Sequence, residues 1–168
     1  MPLSLMRDSS GSNYLENRSM TDDLLALDNQ LCFPIYAASN MLNRLYRPLL
    51  DELGLTYPQY LVMLVLWQST PRSVGELGHT LYLDSGTLTP LLKRMEAQGL
   101  IRRQRAPDDE RRVLITLTEA GHTLRERANA VPNAMLCKID TPSGELAQLR
   151  EQLKGLTQKL DQALARRQ

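Results

Sequence analysis

The 168-residue chain has little of what most chemical sites are built from. Its two cysteines, Cys32 and Cys137, are too far apart to suggest a disulfide framework or a metal-binding pattern. Its two histidines, His79 and His122, are not at ligand spacing from each other or from either cysteine. A zinc site and a catalytic triad therefore have little support, and neither a metal nor another cofactor is expected. No apolar run approaches the roughly 20 residues that cross a bilayer, and no secretory hydrophobic region follows the N-terminus. A cytoplasmic location is expected. The net charge is only +1, which argues against indiscriminate binding of nucleic acid. What remains, 42% hydrophobic and 23% charged residues, is the composition of one soluble domain with chain enough for a core.

Where the charge sits says more than its sum. Residues 93–112 hold seven basic side chains against four acidic ones: Lys93, Arg94, Arg102, Arg103, Arg105, Arg111 and Arg112. Residues 1–92 hold five against nine. The basic cluster falls inside the stretch from Ser73 to Leu117, which has its own punctuation. Ser73-x-x-Glu76 is a capping box opening a short helix, SVGELGHTL, followed by a turn at Tyr82–Asp84. The next segment, SGTLTPLLKRMEAQG, carries Leu88, Leu91, Leu92 and Met95 at i, i+3, i+4 and i+7, which makes one buried face. Gly86, Thr87, Thr89, Pro90, Lys93 and Arg94 then fall on the outer face, whose hydroxyls and cations suit phosphates and base edges. Pro90 is acceptable if this helix starts near Ser85 to Thr87. A basic hairpin follows, with strands at Leu100–Gln104 and Arg112–Leu117 around a tip of Pro107, Asp108 and Asp109. Helix, turn, helix and basic ribbon make a winged helix-turn-helix. The same geometry also occurs in proteins that bind no DNA.

The flanks read as helices. Residues 1–23 are expected to be a disordered extension, since residues 1–20 are polar and aperiodic. The remainder, 24–168, reads as one mainly α domain, with the winged helix-turn-helix over 56–117 and dimerisation helices over 24–53 and 118–166. In the first of these, Leu31, Ile35, Ala38, Leu42, Leu45 and Leu49 form a stripe and Gly54 stops the helix. Pro34 suits a first turn, so the main helix is expected to begin near Leu31 with Asp28 or Asn29 as cap. Cys32 then lies in that turn, where the helix dipole favours a thiolate, although a free cysteine is often only a small buried hydrophobe. Thr56-Tyr57-Pro58-Gln59 caps a helix whose run YLVMLVLW is apolar all round and reads as the centre of the core. Thr118 caps a helix to about Met135, weakened at Pro132, with Cys137 at its end. Thr141-Pro142 caps a last helix with Leu146, Leu149, Leu153, Leu156, Leu160 and Leu164 along one stripe. That stripe is too short for a long coiled coil but suits an antiparallel or intertwined dimer, with packing against the same subunit as the alternative.

LDNQLCFPIYAAS, GLTYPQYLVMLVLW and LDSGTLTPLLKRMEAQGLIRR, with the DERRV wing, resemble segments of the multiple-antibiotic-resistance regulator (MarR) family, specifically its organic-hydroperoxide-resistance repressor (OhrR) branch. The likeness covers about residues 24–166. It implies that Cys32 senses peroxide and that Tyr46 and Tyr57 hydrogen-bond to it. Cys32 and Tyr46 are fourteen residues apart, roughly 21 Å along one continuous helix, so that contact would need the partner subunit. The likeness also implies that Cys137, matching a second cysteine found in part of the branch, captures the sulfenic acid of Cys32 as an intersubunit disulfide.

The resulting expectation is a homodimeric repressor that binds double-stranded operator DNA when reduced and leaves it when an organic hydroperoxide oxidises Cys32. Ser85, Thr87, Thr89, Lys93 and Arg94 are the expected major-groove contacts. Arg105, Arg111 and Arg112 are the expected wing contacts, with Asp109 orienting a wing arginine. Two other readings stay open: a regulator sensing a small aromatic ligand with Cys32 inert, and a thiol peroxidase. The Arg-rich wing argues against the last, and no enzyme activity is expected.

Overall fold

The computed structural model describes residues 24–139 and 141–166, so the expected N-terminal extension lies outside the described residues. The chain divides into two compact units, one up to Leu42 and one from Asn43 onward. The described part of the first unit holds a single 3-10 turn, Leu27–Asn29, and the opening residues of helix α1 (Cys32–Asp51). None of its described residues is buried, and Leu31, Phe33, Ile35, Tyr36, Met41 and Leu42 are exposed. Neither Asp28 nor Asn29 is the cap expected from sequence. Both belong to the 3-10 turn, where the Asn29 amide donates to the Ala26 carbonyl, and the helix starts three residues after Asn29.

The second unit contains the rest of α1, then α2 (Tyr57–Gln68), β1 (Arg72–Ser73), α3 (Val74–Leu81) and α4 (Ser85–Ala97). After these come β2 (Ile101–Arg105), β3 (Val113–Leu117), α5 (Glu119–Ala128), α6 (Ala130–Ile139) and α7 (Ser143–Ala165). Its core is built on α2, as the all-round apolar run requires: Val62, Met63 and Leu66 are essentially inaccessible. Leu77 of α3, Leu88, Leu92 and Met95 of α4, and Ile101 and Ile115 of the hairpin close over it. Pro58 sits in the first turn of α2, where no amide is needed, and the Thr56 amide donates to Gln59 Oε1 at 2.8 Å.

The hairpin strands pair antiparallel from Ile101↔Leu117 to Arg105↔Val113, one residue later at their starts than the sequence suggests. A third strand was not expected. The two-residue β1 pairs with β3 on its other edge, giving the order β1-β3-β2.

Two helix boundaries differ from expectation for a common reason. The helix after Thr118 breaks at Asn129, not at Pro132. Pro132 cannot donate to the carbonyl four residues earlier and crowds it, so the interruption falls ahead of the proline. The proline then becomes the third residue of α6, where its missing amide costs nothing. At the next boundary Thr141 does not cap α7; its hydroxyl turns back to donate to the Ile139 carbonyl at 3.1 Å, and Pro142 occupies the cap position. No residue of α7 is buried, and Leu149, Leu153, Leu160 and Leu164 of its stripe are exposed. Among the described residues no helix is long and apolar enough to cross a membrane.

Candidate functional site

The helix-turn-helix forms because both of its helices are capped and the link between them is tight. Ser73 and Glu76 make the reciprocal box: the Glu76 amide donates to Ser73 Oγ at 3.2 Å, and the Ser73 amide donates to Glu76 Oε2 at 2.7 Å. Hydrogen bonding from the Ser73 side chain first, and from the Ser73 amide second, holds the Glu76 carboxyl below its usual range, with smaller help from the Arg72 and Arg112 charges. Helix α3 ends in Tyr82, whose backbone is left-handed at φ 54°, and the Leu83 amide returns to the Gly78 carbonyl at 2.9 Å. A Cβ on Gly78 would stand 2.8 Å from the Leu83 carbonyl oxygen, so this turn requires glycine.

Asp84 is the residue that sequence reasoning missed. It caps α4 twice, accepting from the Thr87 amide at 2.8 Å and from the Thr87 hydroxyl at 2.9 Å. Those bonds, the backbone one first, hold its carboxyl below the ordinary aspartate value. The signal was present as an Asp directly before a small-residue run. Pro90 is the sixth residue of the helix, and its ring faces solvent. The rotation read from periodicity agrees with the structure. Leu88, Leu91, Leu92 and Met95 are buried, whereas Ser85, Gly86, Thr87, Lys93 and Arg94 are exposed and Thr89 is half-buried. Among the described residues, neither Lys93 nor Arg94 forms an ion pair.

The wing carries its cations in different states. Arg103 is pinned to the end of α4: its amide donates to Glu96 Oε1 at 2.9 Å and its guanidinium lies 3.7 Å from Glu96 Oε2. Arg105 lies 3.7 Å from Glu110, and Arg112 lies 3.5 Å from Asp108. Asp109 acts on the backbone: its Oδ1 accepts from the Arg111 amide at 3.0 Å, and its carbonyl accepts from the Arg112 amide at 2.9 Å. It shapes the turn from which Arg111 projects. The ion pairs of Arg105 and Arg112 are made with Glu110 and Asp108, and Asp109 bears on Arg111 through that residue's backbone amide.

The two thiols are free and exposed. Cys32 is the first residue of α1 and Cys137 the eighth of α6. In the single chain, then, Cys32 is not a buried hydrophobe. Tyr46 and Tyr57 are brought together, with ring centroids 4.9 Å apart and both rings half-buried. Burial raises both phenols above the ordinary tyrosine value, and for Tyr46 the neighbouring Tyr57 adds to it. At neutral pH each phenol therefore keeps its proton and can donate. The cluster goes on where sequence reasoning stopped: Tyr46 lies 6.1 Å from Tyr60, and Tyr60 lies 6.4 Å from Trp67 in an edge-on contact. Among the described residues, no group of three His, Cys, Asp or Glu side chains could hold a metal ion.

Comparisons with known proteins agree with this architecture. The family model described as "Transcriptional regulator SarA/Rot" matches residues 44–127. The organic hydroperoxide resistance transcriptional regulator of Bacillus subtilis is 50% identical over 140 residues, covering 83% of this chain and 95% of that protein. Among solved structures, reduced AbfR bound to DNA is 39% identical with a TM-score of 0.66, covering 80% of this chain and 94% of that one. Wild-type MarR from E. coli, in its apo form, is 26% identical with a TM-score of 0.62, covering 76% and 96%. On this sequence identity, shared length and helix-turn-helix with a wing, the chain belongs to the MarR family of transcriptional regulators, in its organic-hydroperoxide-resistance branch.

Proposed function

We propose that this regulator is a cytoplasmic, homodimeric repressor that holds double-stranded operator DNA while Cys32 is reduced and releases it when an organic hydroperoxide oxidises that thiol. Helix α4 enters the major groove with Ser85, Thr87, Thr89, Lys93 and Arg94. The wing adds Arg105, Arg111 and Arg112, with Asp109 setting the turn under Arg111. Two exposed cations on α4 with no ion-pair partner among the described residues support this, because phosphates can pair with them without displacing a partner there. The exposed leucines of α7 and the exposed apolar residues of α1 support dimerisation, since a second copy would cover them.

The observation that carries the redox reading is the pair of neutral phenols at Tyr46 and Tyr57 in a chain with a free thiol at a helix N-terminus. The Cys32 thiolate attacks the distal oxygen of the hydroperoxide. The O–O bond breaks, the sulfur keeps one oxygen as sulfenic acid, and the leaving alkoxide takes a proton and departs as the alcohol. The thiol of Cys137 of the partner subunit then attacks that sulfur and gives up its proton; the S–O bond breaks, and the departing hydroxide takes the proton and leaves as water. Each subunit consumes one peroxide per cycle, so this is a stoichiometric sensor and not an enzyme.

The test is a non-reducing gel after one equivalent of cumene hydroperoxide. Wild type should run as a covalent dimer, reversed by dithiothreitol, and Cys137→Ser should form the sulfenic acid without the link. A Cys32→Ser protein that still forms a peroxide-induced dimer would overturn the mechanism. One observation favours a second reading, a regulator of small aromatic anions. Tyr60, Leu64, Trp67, Gln68, Arg125, Ala128, Asn129 and Pro132 line an open cleft of about 240 Å³. Under that reading Cys32→Ser would respond normally to the effector.

A further inference from the structure

Helix α2 is attached to the reading head at both of its ends, by hydrogen bonds that core packing alone does not require. At its N-terminal end Gln59 lies two residues beyond Tyr57 and is only 3% exposed. Its Oε1 accepts the Thr56 amide at 2.8 Å, and its Nε2 donates to Gln98 Oε1 at 2.9 Å. Gln98 is the C-cap residue of α4, and its side-chain Nε2 donates to the Gly54 carbonyl at 3.5 Å. The sensor end of α2 is thereby fixed to the last turn of the reading helix through a bond spanning 39 residues of sequence.

At the C-terminal end Trp67 Nε1 donates to the Gly121 carbonyl at 2.8 Å. Gly121 lies against the Leu100 carbonyl oxygen, which fills the space a Cβ would need. That same oxygen accepts the Thr118 amide at 3.1 Å, and the Thr118 hydroxyl donates to the Gly99 carbonyl at 2.6 Å. Gly99 and Leu100 join α4 to the wing strand β2. Between the two attachments, the rings of Tyr57, Tyr46, Tyr60 and Trp67 form a continuous packed row. Val62 and Met63 hold the helix in the core with no accessible surface. A helix so enclosed deforms little and moves as a unit.

We propose that α2 carries the change at Tyr46 and Tyr57 to the reading helix and the wing, with Gln98 and Trp67 as the positioning residues that couple its two ends. The inference rests on the redox reading above. When Cys32 becomes a sulfenic acid or a disulfide, the phenols lose the thiolate they donate to, and the row of rings repacks. The hydrogen bond at each end of α2 then transmits that shift to the end of α4 and to the α4–β2 junction. A purely structural role predicts something different: lower thermal stability with an unchanged response to oxidation.

The experiment compares full-length wild type with Trp67→Phe, which keeps the ring and loses the donor, with Gln98→Met, which keeps the length and loses the amide, and with the double variant. Three quantities are read: the rate at which the free Cys32 thiol is lost to cumene hydroperoxide, operator Kd when reduced, and operator Kd when oxidised. The expected result is a rate of thiol loss within about twofold of wild type and a reduced Kd within about threefold. The ratio of oxidised to reduced Kd should fall at least tenfold in the double variant. A double variant whose ratio stays within threefold of wild type overturns the proposal. Wild type whose Cys32 thiol is not consumed by the hydroperoxide would instead show that the redox reading has failed, and the coupling with it. Should the variants fold poorly, Trp67 is the only tryptophan of the chain. A 5-fluorotryptophan label in the otherwise unaltered protein should then shift its fluorine resonance on hydroperoxide addition, and only with Cys32 present. A resonance that does not move also overturns the proposal.

Discussion

Replacing Gly121 by alanine tests the packing that holds α5 against the reading head. The added Cβ would overlap the Leu100 carbonyl oxygen and stand 3.2 Å from both the Leu100 carbonyl carbon and Leu117 Cδ2. The main obstacle is backbone, which cannot swing aside as a side-chain end can, so either α5 or the α4–β2 junction must move. Overpacking of this kind costs about 1–3 kcal/mol. Displacing the Gly121 carbonyl also weakens the Trp67 bond, a further loss of roughly 0.5–1.5 kcal/mol. Against these, the lower chain entropy of alanine in the unfolded state returns about 0.4–1 kcal/mol. The net is a destabilisation of about 2 kcal/mol, or a fall in Tm of roughly 4–8 °C at this chain length. Urea unfolding at fixed protein concentration measures it, with Gly75→Ala in α3 as the control. A Cβ there meets nothing within 4 Å, and that variant should be as stable as wild type or more so. A Gly121→Ala protein as stable as the control would refute the close approach on which the argument depends.

Other expectations concern the DNA face. Lys93→Ala should weaken operator binding while leaving Tm within about 1 °C, because the side chain is exposed and unpaired among the described residues, and surface changes of this kind usually cost under about 0.5 kcal/mol. A lowered Tm with normal binding would contradict the helix rotation. Arg111→Ala should lower the slope of log K against log salt by about one unit for the lost phosphate contact, and an unchanged slope removes Arg111 from the interface. Asp84 has its carboxyl held below the ordinary value in the folded state. Its contribution to stability is therefore fully present above the unfolded aspartate pKa of about 3.9 and is lost as pH falls through the lower folded value. Asp84→Asn caps equally well, so it should match wild type at neutral pH and lose less stability between pH 5 and 3, as followed by Tm. An identical acid dependence in the two proteins would show that this cap does not titrate as described.

Much of the fold was legible in the sequence because its signals are local. The Ser73–Glu76 box and the Pro58 first turn involve residues within one turn of each other, and the structure keeps both. The buried face of α4 follows from a 3.6-residue period that tertiary contacts reinforce. What sequence reading lost are features in which two distant segments decide the outcome. Strand β1 is two residues long and exists only because β3 offers a free edge. The break at Asn129 belongs to Pro132, but acts on the carbonyl one turn earlier. How Asp109 bears on a wing arginine was not legible either, because charge is visible in sequence and turn geometry is not; in the folded wing its carboxylate accepts the Arg111 backbone amide. The resemblance picked out Tyr46 and Tyr57, and the structure brings those two rings together. Their continuation through Tyr60 and Trp67 to Gly121 links residues up to 75 positions apart and could not be read from spacing.

The central claim is that the oxidation state of one thiol decides operator occupancy. It is tested most directly by titrating purified protein onto operator DNA before and after one equivalent of an organic hydroperoxide, with wild type beside Cys32→Ser. Tight binding of both reduced proteins, loss of wild-type binding on oxidation with recovery in dithiothreitol, and no response from Cys32→Ser is the predicted outcome. Equal release of wild type and Cys32→Ser, or release of neither, would contradict it.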